Sequence, residues 1–148
     1  MDLQARFADD LQKALKNHDA IRVSTLRLLI SAIRNKEIER KKKFADGDVL
    51  EVIQTEAKSR RESIELYRTG GRKELADKEE AEMKVLLAYL PEAMSESELR
   101  ELVQSTLQTI GAKGPQDMGR VMSALMPKIK GRADGKQAQQ LVQQLLKS

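Results

Sequence analysis

Apolar residues recur along most of the chain at the three- to four-residue spacing of one helix face. No stretch alternates in the manner of a half-buried strand, and no heptad repeat is sustained. The N-terminal part of this pattern predicts four helices, over about residues 3–16, 20–40, 49–69 and 75–90. Asp19 is a suitable N-cap for the second, residues 45–48 read as a turn, and Gly70 and Gly71 end the third.

Local start and stop signals divide the rest of the chain into three shorter helices after Pro91, which we interpret as a domain boundary. The signals are a capping box at Ser95 and Glu98, Gly111 after the fifth helix, Pro115 at the start of the sixth, Pro127 at its end, and Asp134 as the cap of the seventh. The sequence therefore predicts an all-α protein. Residues 1–90 are expected to form a four-helix bundle, and residues 91–148 a small three-helix domain.

The composition of the 148 residues narrows the functional class. Phe and Tyr number two each and Trp is absent, so the aromatic platforms of sheet-based readers of single-stranded nucleic acid are missing. There is no cysteine, which excludes thiolate zinc sites and thiol nucleophiles. No apolar run approaches a membrane span, and the N-terminus does not resemble a signal peptide. From these features we expect a soluble cytoplasmic protein.

Positive charge is concentrated near the end of the chain. Residues 111–136 contain two acidic residues, Asp117 and Asp134, and six basic ones, an excess of four that equals the formal net charge of the whole protein. The basic residues are Lys113, Arg120, Lys128, Lys130, Arg132 and Lys136. We predict that they surround a helix–loop–helix junction, with Lys128, Lys130 and Arg132 on the loop, and that they bind phosphate groups.

Other candidate features have ordinary structural explanations. The run Arg40–Lys43 is either a second phosphate patch or a set of cations favoured by the C-terminus of the second helix. The stripe Met118, Met122 and Met126 reads as core, with a binding surface as the alternative. A single histidine and no cysteine leave no nucleophile–base constellation, so no catalytic residue, metal ligand or cofactor is predicted.

Residues 111–136, which contain the basic cluster, resemble the YqeY-like family. The C-terminal segment of that family is similar to the tail domain of one subunit of the glutamyl/aspartyl-tRNA amidotransferase. The matching runs are GA at 111–112, DMG at 117–119, VM at 121–122, MPK at 126–128 and KGRADG at 130–135. Residues 27–35 with Glu37, and the joint at Leu90 and Pro91, are similar too. Arg120 stands where the family pattern has Lys, which keeps the charge.

The resemblance implies a helical bundle with a three-helix tail and, since the amidotransferase tail contacts tRNA, tRNA contact through Lys128, Lys130, Arg132 and Arg120. Our first hypothesis is thus a non-catalytic protein that binds tRNA or a tRNA-processing complex. The family is also labelled with carbon–nitrogen ligase activity using glutamine as amide donor, so a component of an amidotransferase is the second hypothesis. A protein-interaction module is the third, and the oligomeric state stays open.

Overall fold

The computed structural model describes residues 2–147, which form seven α-helices and no strand. The all-α fold class is confirmed. The contacts within the chain separate it into two compact units that divide between Leu90 and Pro91. The helices are α1 (Leu3–Lys16), α2 (Ala20–Arg40), α3 (Asp46–Thr69), α4 (Lys73–Leu87), α5 (Glu96–Ile110), α6 (Met118–Ile129) and α7 (Gly135–Lys147), with a 3-10 turn at Pro115–Asp117.

The first unit contains α1 to α4 around one apolar core, centred on Phe7, Leu26, Ile33, Ile53 and Leu86. Helices α3 and α4 form an antiparallel pair that turns at Gly70 and Gly71. Just beyond α4, the ring of Tyr89 meets Phe7 of α1 edge-on, with 4.8 Å between ring centroids. The Tyr89 hydroxyl donates a hydrogen bond to the Asp10 carboxylate. Burial, together with this bond, raises the pKa of Tyr89.

Two hydrogen-bonded carboxylates tie the segment between α2 and α3 to α1. Glu37 accepts the backbone N–H of Phe44 at 2.7 Å and the side-chain amide of Gln4 at 3.2 Å. The Phe44 N–H is the larger cause of the lowered pKa of Glu37. Asp46 accepts the N–H of Leu3 at 3.0 Å. The prediction of a turn at residues 45–48 is therefore wrong, because α3 already begins at Asp46. The carboxylates in its first turn accept N–H groups that have no partner within a helix.

An ion-pair network fastens α3 to α4. Arg60 contacts both Glu79 and Glu82 on the facing helix, and the Glu82 side chain is only 8% exposed. Arg68 pairs with Asp77 and Glu80 nearer the turn. Because a buried carboxylate without its partner is strongly disfavoured, Arg60 fixes how these two helices align.

The second unit contains α5, α6 and α7 around a smaller core that includes Val103, Val121, Leu125, Ile129 and Val142. The Ser95 hydroxyl accepts the N–H of Glu98 at 3.1 Å, so the predicted N-cap of α5 is confirmed. At the other end of α5, Gly111 has φ +72°, the left-handed conformation that favours glycine.

Helix α6 does not stop at Pro127, and this part of the sequence prediction is wrong. The helix continues to Ile129, and the N–H of Lys130 closes its last turn on the carbonyl of Met126 at 3.1 Å. Ile129 is 1% exposed, and its burial holds the two residues beyond the proline in helical conformation. Lys128 therefore lies in the last helical turn and not in a loop.

Candidate nucleic-acid interface

A type II turn joins the end of α6 to the start of α7. Lys130 has φ −54° and ψ 125°, Gly131 has φ +79°, and the N–H of Arg132 bonds the carbonyl of Ile129 at 2.9 Å. These angles require glycine at the third turn position. The sequence KGR at 130–132 thus specifies a tight turn that reverses the chain direction. This turn fixes the positions of the neighbouring basic side chains.

Arg132 is held by the segment that leads into α5. Its Nε donates to the carbonyl of Glu92 at 2.9 Å, and its terminal nitrogen lies 3.3 Å from a carboxylate oxygen of Glu98. The carbonyl of Arg132 in turn accepts the N–H of Met94 at 2.9 Å. Arg132 therefore contacts the segment 92–98 through both its side chain and its backbone. Its guanidinium already has two partners within the second unit.

The start of α7 is capped by its own preceding residue. The Asp134 carboxylate accepts the N–H of Lys136 at 3.1 Å, and the Asp134 carbonyl accepts that of Ala138 at 3.0 Å. An anion approaching this helix end would compete with Asp134 for N–H groups. The Lys136 side chain, rather than the helix terminus, is thus the group available to a phosphate.

Two lysines flank the turn with their charges exposed. Lys128 in the last turn of α6 and Lys136 in the first turn of α7 are both exposed, and neither forms an ion pair with any residue in the range 2–147. Lys130 between them is half-buried and interacts within the chain. The nearby carboxylates of Glu98 and Asp134 are occupied by Arg132 and by the Lys136 N–H.

Lys113 and Arg120 lie toward the other end of α6. The Asp117 carboxylate accepts the N–H of Lys113 at 2.8 Å and pairs with Arg120 at 3.0 Å. The Lys113 N–H is the largest cause of the lowered pKa of Asp117. Since Arg120 and Lys128 are eight residues apart on one helix, about 12 Å separates them along its axis. The structure thus groups four of the six predicted residues at one end of α6 and two at the other.

The outward side of α6 carries small residues that sequence reasoning did not single out. Gly119, Ser123 and Ala124 line a shallow open cleft together with Ile110 and Arg120. A Cβ added at Gly119 would meet no atom within 4 Å. The sequence signal was a glycine within a helix, which is unfavourable unless a neighbour or ligand needs the space.

The remaining sequence candidates have structural roles. Met118, Met122 and Met126 pack against the core of the second unit, as expected. In the first unit, Lys42 pairs with Asp48 at 3.5 Å, and Arg40 lies over the Phe44 ring at 5.4 Å. Across residues 2–147, no three histidine or acidic side chains are grouped to hold a metal ion, and no helix is long and apolar enough to span a membrane.

Comparison with known proteins places the chain in a family. The model of the family described as Yqey-like protein matches residues 4–146. The chain is 35% identical to a protein of Pyrenophora tritici-repentis named altered inheritance of mitochondria protein 41, mitochondrial, over 86% of this chain and 71% of the relative. Proteins with the same name in Eremothecium gossypii and Lachancea thermotolerans are 37% and 31% identical, over 60% and 78% of this chain.

The matches span 49% of the Eremothecium gossypii relative and 63% of the Lachancea thermotolerans one, so substantial parts of both lie outside the comparison. The names of these relatives contradict the expected cytoplasmic location. That expectation rested on composition and hydropathy, which do not distinguish one aqueous compartment from another. The family resemblance read from the C-terminal motif is confirmed: the chain belongs to the YqeY-like family.

Proposed function

We propose that the chain is a non-catalytic RNA-binding protein whose C-terminal unit binds the phosphate backbone of tRNA. The observation that carries the proposal is the pair of exposed lysines, Lys128 and Lys136, on either side of the rigid turn at residues 130–132. The carboxylate of Glu98 pairs with Arg132 and that of Asp134 accepts a backbone N–H, and neither forms an ion pair with Lys128 or Lys136. An uncompensated cation pair of this kind favours a polyanion.

Each residue near the turn has a distinct proposed role. Lys128 and Lys136 contact phosphates directly, and Lys130 adds positive potential between them. Arg132 holds the turn against the residues that precede α5 and so positions the two lysines. Lys113 and Arg120 extend the surface along α6 at a greater distance. Such contacts read the shape of a folded RNA rather than its sequence.

The resemblance to the amidotransferase tail selects tRNA among structured RNAs. In that enzyme the tail contacts tRNA, while the chemistry takes place on other domains. The run KGRADG at 130–135 is the most specific part of the resemblance, and it contains the turn that separates the two lysines. We therefore propose that this chain binds tRNA and that amide transfer is catalysed by other proteins.

The test is a titration of the full-length protein with tRNA across a range of salt concentrations. The logarithm of the binding constant should fall linearly with the logarithm of salt concentration. The double variant K128A/K136A should reduce the steepness of that line by roughly 1.4–1.8, from about 0.7–0.9 per lost phosphate contact. Helicity measured by circular dichroism should not change, because both side chains are exposed.

A matched control is available on the same helix. Lys147 is exposed in the last turn of α7, about 16 Å along the axis from Lys136. K147A removes the same charge as K136A but should leave the salt dependence unchanged. An unchanged slope in K128A/K136A, or an equal loss in K147A and K136A, would refute the proposed site.

A further inference from the structure

The solvent-facing side of α2 lacks acidic residues over almost five turns. Residues 20–36 contain no Asp or Glu, although 23 of the 148 residues in the chain are acidic. The helix buries Leu26, Leu29 and Ile33 in the core of the first unit. The exposed residues on its outward side are Arg27, Leu28, Ser31, Arg34, Asn35 and Ile38.

The arginines of this face differ from those of α3 and α4. Arg60 and Arg68 each pair with two carboxylates of the facing helix. Arg27 and Arg34 form no ion pair with any of residues 2–147. The acid nearest Arg34 in sequence is Glu37, which is engaged by the Phe44 N–H and by Gln4. Within α2, Arg22 pairs with Asp19 at the start of the helix, at 3.5 Å. Arg27 and Arg34 on the outward face are thus outside any ion pair of the described residues, whereas Arg60 and Arg68 are paired across α3 and α4.

The spacing of the two arginines places them on one line along the helix. Residues seven apart are separated by nearly two turns, about 10.5 Å along the axis, and point in directions only about 20° apart. Ser31 lies between them, four residues from Arg27 and three from Arg34, and Asn35 follows one residue after Arg34. Two guanidinium groups with a hydroxyl and an amide beside them can donate several hydrogen bonds to phosphate oxygens and ribose hydroxyls.

We propose that the outward face of α2, defined by Arg27, Ser31, Arg34 and Asn35, is a second binding surface for the phosphate backbone of RNA. The choice of RNA as the polyanion rests on the function proposed above. An anionic membrane is a poorer fit, because α2 buries its apolar stripe in the core of its own unit. The only large apolar side chains exposed on α2 are Leu28 and Ile38, which lie ten residues apart and cannot form an inserting apolar face.

The experiment compares three double variants of the full-length protein in the tRNA titration. R27A/R34A should weaken binding roughly tenfold at about 0.15 M salt and lower the salt slope by roughly 1.4–1.8, as two lost phosphate contacts require. R27K/R34K, which keeps both charges, should recover most of the salt slope. K58A/K78A removes two exposed cations from α3 and α4 and should bind tRNA as the unmodified protein does.

The outcomes separate this inference from the function proposed for the second unit. If R27A/R34A weakens binding and K128A/K136A does not, the α2 surface is supported and the site at Lys128 and Lys136 is refuted. If R27A/R34A binds with unchanged affinity and slope, the α2 surface is refuted whatever K128A/K136A does. Absence of tRNA binding by the unmodified protein would refute both. Binding to phosphatidylserine vesicles that R27A/R34A abolishes, with RNA binding unaffected, would reassign this face to a membrane.

Discussion

Replacing Gly131 by alanine tests whether the turn between α6 and α7 is as rigid as its geometry implies. Gly131 is buried, has φ +79° and stands at the third position of a type II turn closed by a 2.9 Å hydrogen bond. An alanine there places Cβ close to the following carbonyl oxygen. Because the chain cannot relax this angle without breaking the turn, the substitution should destabilise the second unit.

The effect of G131A on stability can be compared with that of the same substitution at Gly119 in α6. A left-handed conformation costs a residue other than glycine about 1–2 kcal/mol, so G131A should lose at least this much stability. Gly119 lies in α6 without a positive φ, and its added Cβ meets no atom within 4 Å. G119A should therefore gain about 0.5–1 kcal/mol from helix propensity and from a less flexible unfolded chain.

The distribution of aromatic residues makes the measurement specific to one unit. Both tyrosines, Tyr67 and Tyr89, lie in the first unit, so their fluorescence reports its unfolding alone. Urea unfolding followed by hydrogen exchange of peptides from residues 91–147 reports the second unit. The G131A midpoint should fall by about 1 M for a slope near 1 kcal/mol/M, while that of G119A should rise. Equal midpoints for the two variants would refute the reasoning from backbone conformation.

Three further predictions concern the cores and one carboxylate. Leu125→Ala removes a fully buried side chain and should cost about 2–5 kcal/mol, seen as faster hydrogen exchange confined to residues 91–147. Arg60→Ala leaves Glu82 buried without its partner and should cost about 3–5 kcal/mol in urea unfolding of the first unit, whereas R60M/E82L should cost much less; an equal loss in both would contradict the ion-pair argument. The pKa of Asp117 is lower folded than unfolded, so its stabilising contribution is complete above its unfolded pKa of about 3.9 and declines as pH falls through the folded value. Asp117→Asn should therefore make urea midpoints of the second unit less dependent on pH below about 4, where this carboxylate is protonated. An unchanged dependence in that range would show that Asp117 is not responsible.

Features that depend on near neighbours in sequence were predictable. The Asp19 and Ser95 caps and the glycine ends of α3 and α5 involve residues within one helical turn, and the structure contains each of them. Pro127 was read with the same local rules and the prediction failed. The burial of Ile129 against α5 and α7 stabilises a helical turn that the proline alone would disfavour.

Partners distant in sequence account for what could not be predicted. Arg60 has acidic residues near it on its own helix, but its partners lie on α4, about twenty residues further on. Arg132 was grouped with free cations, yet its partners Glu92 and Glu98 precede it by 34 residues or more. The basic residues of segment 111–136 are close in sequence, but the length of α6 separates them in space.

The contact between Phe7 and Tyr89 brings the first helix of unit one to the residue that follows its last helix. Since α1 and the end of α4 meet, the two ends of this unit lie at one side of its core. Domains with adjacent termini tolerate circular permutation and insertion into other proteins. A permuted unit opened at Gly70 and Gly71, with its original ends joined by a short linker, should keep the same helical packing.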